Sequence, residues 1–182
     1  MKKIKNRLLQ NNYEAEPAEE KEQSQYIRRI AYWVGLFIIE FNDLESAITR
    51  ILSSRIHSMD FSGYEYVFLT GTMFNNKVEL LARLYKYEIN FMKPDSRKED
   101  LKKRASELIN ELKELGSKRN TIAHANYFSL DKNGNIREST KFSESDAEES
   151  WVAITRDFIV ENINVIYDLT EKLEDFDEEA RL

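Results

Sequence analysis

The sequence predicts an all-α fold: an antiparallel four- to five-helix up-and-down bundle with a small β-hairpin inserted before the last helix. Three observations predict it. Only five glycines and two prolines occur in 182 residues, whereas Glu, Lys and Leu, which lose little on entering a helix, are abundant. Apolar residues recur at i, i+3, i+4 and i+7 over long windows. The breaks between those windows are short and carry turn chemistry, which places successive helices antiparallel. A chain of this length fits one domain and can bury a core without metal or disulfide support.

The elements follow in order. Residues 1–22 mix a basic start with an acidic, proline-containing stretch and read as a mobile N-terminal arm. Residues 23–182 read as a single helical domain. From Ser24 to about His57, Ile27, Ile30, Val34, Phe37, Phe41, Leu44, Ile48 and Leu52 keep helical spacing, which predicts one long helix. Ser62-Gly63 interrupts it, Tyr64 to Leu69 reads as a short helix, and Gly71 ends that segment. Thr72 is the expected N-cap of a helix to about Asn90, with Phe74, Val78, Leu81, Tyr85 and Ile89 on one side. Pro94-Asp95 breaks the chain, and Ser96 can cap a helix whose Leu101, Ala105, Leu108, Leu112 and Leu115 lead to Arg119. Tyr127 to Ile136 alternates around Asn133-Gly134, as a hairpin does. A last helix is expected from about Asp146 to Phe176, with Trp151, Ile154, Phe158, Val165, Ile166, Leu169 and Leu173 inward.

Composition narrows the chemistry. With no cysteine and two histidines, neither a disulfide framework nor a thiolate or histidine-rich zinc site can form. No Glu-x-x-His pair on two helices supplies a carboxylate metal centre, so no metal or other cofactor is expected. The apolar run from Ala31 to Ile39 is too short for a bilayer, and no sustained apolar segment follows the N-terminal lysines. A soluble protein in a reducing cytoplasm, with no membrane partner, is the expectation. The formal net charge of -6 opposes broad attraction to nucleic acid. That charge is unevenly distributed: the chain from Ser143 onward is acidic, while Arg97 to Arg119 is rich in Lys and Arg. The latter is either a basic strip or a solvated face of i,i+4 pairs.

The most informative stretch is Arg119-Asn120-Thr121-Ile122-Ala123-His124. A guanidinium fits a phosphate, and an imidazole can carry a proton near neutral pH. At 100° per residue Asn120 and His124 share a face one turn apart, and Arg119 falls in line with Leu101 on the core stripe. Glu45 falls inside the apolar arc of the first long helix, and Lys77 lies between Leu81 and Leu84 on the Thr72–Asn90 helix. Charges on buried stripes must be paired or gathered at a polar cleft, so Glu45 is expected to meet Arg119. His57 reads as a surface or capping residue.

Arg119, the polar Asn120 after it, and His124 resemble the arginine, four to six residues, histidine pattern of HEPN domains, helical proteins that include prokaryotic toxins, abortive-infection proteins and RNA-processing enzymes. The phrase FNDLESAI from Phe41 to Ile48, with Glu45, is similar to the polar position such domains carry on an early helix, and the resemblance spans about Ser24 to Phe176. It implies a metal-independent endoribonuclease acting as a homodimer on an RNA substrate, as a toxin or antiphage defence effector. His124 would be the acid or base, Arg119 the phosphorane stabiliser, and Asn120 the holder of a nonbridging oxygen. Glu45 would orient Arg119, with Lys77 and Tyr127 in support. Some members carry a tyrosine two residues after the histidine, modified by a partner nucleotidyltransferase. Here Tyr127 lies three residues after His124, a departure from that spacing, and it reads as the start of the hairpin; an antitoxin or a nucleotidyltransferase is the partner the resemblance implies. The alternative is a noncatalytic dimeric binding or regulatory module.

Overall fold

The computed structural model describes residues 17–57, 69, 71–94, 96–137 and 151–180. The described chain is all-α with a small sheet before the last helix: α1 (Glu20–His57), α2 (Phe74–Phe91), α3 (Ser96–His124), β1 (Asn126–Leu130), β2 (Ile136–Arg137), β3 (Trp151–Val152) and α4 (Arg156–Ala180). The short helix expected from Tyr64 lies outside the described residues apart from Leu69, and so does the acidic stretch from Ser143 to residue 150. Two compact units are distinguished. Unit 1 comprises residues 1–38 and 118–162, and unit 2 comprises residues 39–117 and 163–182.

In unit 2 the core is built from the stripes that spacing predicts. Phe41, Leu44 and Ile48 of α1, Val78, Leu81 and Tyr85 of α2, Leu101, Leu112 and Leu115 of α3, and Ile166, Leu169 and Leu173 of α4 are all buried. The contacts also fix helix direction. Between α1 and α2, Phe41 meets Phe74, Glu45 meets Lys77 and Arg55 meets Glu88. Both numbers rise together, so these helices are parallel. Between α1 and α4 the pairs are Glu40 with Tyr167, Arg50 with Glu174 and Arg55 with Asp177, again parallel. Only α3 runs against the others: Glu79 meets Lys113 while Phe74 lies beside Gly116, and Lys172 meets Glu111 while Glu179 meets Arg104. The helical bundle is as expected, but its directions depart from strict alternation.

Local starts and stops also differ in two places. Met73, not Thr72, precedes α2: its extended backbone carbonyl accepts from Asn76 N and Lys77 N at 2.9 and 3.1 Å, while Thr72 N bonds back to Leu69 O. The last helix starts at Arg156, ten residues after the expected Asp146, because Thr155 is its N-cap, with Oγ1 accepting from Phe158 N at 3.1 Å. Trp151 and Ile154 stand seven and four residues before Phe158 and so mimic helical spacing, yet Trp151–Val152 is a strand.

In unit 1 the sheet has the order β1-β2-β3, antiparallel throughout. The hairpin turns at Gly134, whose φ of 79° lies in the left-handed region. Asp131 holds the turn: one carboxylate oxygen accepts from Asn133 N and Asn135 N, and the other from Asn135 Nδ2. Residues 17–22, expected within the arm, are engaged. Pro17 bridges Asp131, Ala18 N donates to Leu130 O, and α1 begins at Glu20.

Two helical glycines make opposite predictions. A methyl group at Gly116 of α3 would lie 2.9 Å from Phe74 Cε1 and 3.1 Å from Asn75 Oδ1, whereas one at Gly35 of α1 would meet nothing within 4 Å. Gly35→Ala should therefore stabilise by about 0.5–1 kcal/mol through helix propensity alone. Gly116→Ala should lose more than that to overlap, since overpacking costs about 1–3 kcal/mol. Thermal melts of the two variants should move in opposite directions; a rise in both would show that the Phe74 contact is slack.

Candidate functional site

The final turn of α3 presents the motif. Ile122 is fully buried and Thr121 nearly so, and these anchor the turn in unit 1. Asn120 and His124 are exposed, and Arg119 is half-buried. Arg119 Nη1 donates to Asn120 Oδ1 at 3.2 Å, which ties the guanidinium to the amide beside it. His124 is the last helical residue. Its imidazole is not sealed in the apolar interior, so a ligand can reach it.

Tyr127 serves the helix end. Its hydroxyl donates to Ile122 O at 2.6 Å, satisfying one of the four carbonyls that a helix terminus leaves without an internal partner. The backbone then turns into β1 through Ala125 N to Thr121 O and Tyr127 N to Ala125 O. Burial, and next the charge of Tyr26, raise the Tyr127 phenol far above its ordinary value. Tyr26 on α1 donates to Ile154 O at 2.9 Å, and burial pushes its phenol up to about 12. Gln23 adds a side-chain bond to Phe128 O. Together these fix α1, β1 and the segment before α4 around the end of α3.

The two polar residues predicted on buried stripes of unit 2 find each other. Lys77 Nζ bonds Glu45 Oε1 at 2.7 Å, with side chains 5% and 25% exposed. Glu45 was expected to meet Arg119. It meets Lys77 because the parallel course of α1 and α2 brings residues about thirty-two apart side by side, a consequence that helix periodicity alone does not contain. The side chain of His57 lies outside the described residues.

The lysines and arginines from residue 97 to 113 are engaged by acceptors. Lys102 bonds Glu99, Lys103 approaches Glu107, and Arg104 bonds both Asp100 and Glu179. Lys113 bonds Glu79 at 2.6 Å, and this hydrogen bond, with the lysine charge, holds the Glu79 carboxyl below its usual value. Arg97 and Lys98 donate to backbone carbonyls. The stretch is a solvated, ion-paired helix face and not an open cationic track.

Arg156 was missed by sequence. As the first residue of α4 it stands over the Trp33 ring at 4.7 Å, with Tyr32 edge-on to the same indole. The signal was Thr155 followed by Arg156-Asp157, an N-cap with an acidic first turn. Among the described residues no group of three or more His, Cys, Asp or Glu could hold a metal ion, and no described helix is long and apolar enough to cross a membrane. Comparisons with family models, curated proteins and solved structures give no match to this chain.

Two outcomes follow. Lys77→Met leaves the Glu45 carboxylate partly enclosed without its cation and should cost about 2–3 kcal/mol, toward the low end for a broken buried pair because Glu45 retains some solvent; urea titration measures it, and an unchanged midpoint would remove the pair from the fold's support. Both phenols titrate higher folded than unfolded, so the stability they contribute is complete below about pH 10 and declines as pH rises toward about 12 and beyond. Melting temperatures measured from pH 9 to 11 should fall more gently in a Tyr26→Phe, Tyr127→Phe variant than in the wild type.

Proposed function

We propose that the chain is a metal-independent endoribonuclease acting as a homodimer, a HEPN-like effector of the toxin or antiphage defence kind. The observation that carries this is the last turn of α3: an accessible His124 and Asn120, with the Arg119 guanidinium bonded to that amide. The arrangement suits cleavage by the RNA's own 2′-hydroxyl. His124 takes the 2′-proton as the oxygen attacks phosphorus, Arg119 offsets charge on the phosphorane, and Asn120 donates to a nonbridging oxygen. The P–O5′ bond breaks, a proton passes to the departing oxygen, and a 2′,3′-cyclic phosphate and a 5′-hydroxyl result. Each chain has one motif histidine, so a second copy would supply the other proton-transfer group. Tyr127, with its hydroxyl committed to Ile122, would position the helix end, and Glu45 and Lys77 would support the fold. An antitoxin or nucleotidyltransferase would be the restraining partner of such an effector.

The ion-paired face from residue 97 to 113 favours one alternative, a noncatalytic HEPN-like dimeric binding or regulatory module, because that face is not an open cationic track to gather RNA. Purified wild type, His124→Ala and Arg119→Ala incubated with total RNA in EDTA separate the two. The nuclease should lose at least about 100-fold in rate in each variant while helix content is retained. Cleavage that survives either change would sink the assigned roles, and a wild type that cuts nothing would leave the binding module.

A further inference from the structure

Helix α2 is apolar on two faces, and among the described residues only one of them is buried. Val78, Leu81, Tyr85 and Ile89 form the buried stripe. Leu80, Leu84, Tyr87 and Phe91, spaced 4, 3 and 4, form a second stripe roughly 130° away at 100° per residue. Leu80, Tyr87 and Phe91 are 40%, 60% and 74% exposed, and Met73, seven residues before Leu80, is 78% exposed. These four account for half of the large exposed hydrophobic residues among the described residues, so the exposure is concentrated and not scattered. The Tyr87 and Phe91 rings contact each other at 4.6 Å and make one continuous surface.

A helix apolar around most of its circumference is ordinarily covered, and concentrated exposed patches mark interfaces. The alternating 4 and 3 spacing is that of a coiled-coil seam, which stays in contact with a second helix lying along it. Lys77 holds the remaining seam position, but its ammonium is turned to Glu45. Both carboxylates of α2 have cationic partners within the chain: Glu88 is held by Arg55, Glu79 by Lys113, and Arg83 stands close enough to act on Glu79. Two chains of net charge -6 can therefore meet here without setting acid against acid. With roughly 200 Å² per side chain, the four exposures amount to about 500 Å² on each copy. A standard interface takes about 800 Å² per partner, so the stripe supplies well over half and its polar edges can supply the remainder. A repeated apolar spacing is also complementary to itself across a twofold axis, where each contact forms twice.

We infer that the Leu80–Leu84–Tyr87–Phe91 face of α2 is a homodimer interface at which two α2 helices pack seam to seam. A dimer is shared with the nuclease proposal, but this face is independent of the chemistry proposed there. Sedimentation velocity from about 1 to 100 μM tests it. The wild type should sediment at twice the chain mass at the upper end. Tyr87→Glu with Phe91→Glu should weaken association at least 100-fold with unchanged helical circular dichroism, and Ile39→Glu, at a residue 65% exposed on α1, should leave it intact. If the glutamates perturb folding, Tyr87→Ser with Phe91→Ser gives the same comparison. A wild type monomeric at 100 μM, whether or not another protein covers the face, or a folded seam variant that still dimerises, overturns the assignment. A dimer that leaves RNA uncut keeps this interface and removes only the nuclease.

Discussion

Three parallel helices in unit 2 depend on one cation. Helix dipoles that point the same way repel, and the carbonyl ends of α1, α2 and α4 come together at the level of Arg55, Glu88 and Asp177. Arg55 answers both demands of that place. Its guanidinium reaches Glu88 at 3.0 Å and Asp177 at 2.8 Å, and also donates to the Asp177 carbonyl. Lys98 adds a second cation on the final carbonyls of α2, at Asn90 and Met92, and the N-terminus of the antiparallel α3 lies toward the same end. A part-buried guanidinium with two carboxylates is stable only if every partner stays in place, which makes the register of three helices a joint property and not three separate choices.

Unit 1 solves a smaller problem, the end of α3. A helix stops with carbonyls unsatisfied, and here one of them receives the Tyr127 hydroxyl while the chain turns into β1. The phenol, Tyr26 and the Asp131-centred turn therefore hold Asn120 and His124 outward without occupying them. Rigid support behind accessible polar groups is what a site for a reacting phosphate needs, and it is equally what a fixed recognition surface needs.

How far the sequence could be read varies by element. The stripes of α1, α2 and α3, the Ile166–Leu173 part of α4 and the Asn-Gly turn were legible, because burial imposes a period on neighbouring residues and a turn imposes residue types; earlier on α4 the buried residues are Ile159 and Ile163, while Phe158 and Val165, expected inward, are only part-buried. Helix direction was not, since Phe41 to Ile48 and Phe74 to Leu81 have the same pattern whether the helices run together or opposed. That gap accounts for the partner of Glu45. Lys77 was recognised as buried, but pairing it with Glu45 requires knowing that α1 and α2 are parallel. The start of α4 failed for a different reason: Trp151 and Ile154 fall at helical intervals from Phe158 while belonging to a strand and a connection, and only the Thr155 cap distinguishes them. In the candidate site, the exposure of His124 and Asn120 follows from their wheel positions, whereas the bond from Tyr127 to Ile122 depends on where the chain turns after the helix.

The Asn133-Gly134 step carries a chemical consequence of its own. In open chains this dipeptide is prone to cyclisation, in which the glycine nitrogen attacks the asparagine side chain and ammonia is lost. Here that nitrogen is a hydrogen-bond donor to Asp131 O at 3.0 Å, inside a turn clamped by the Asp131 carboxylate. Held this way it cannot swing toward the amide, so the geometry that closes the hairpin also protects it from slow chemical ageing.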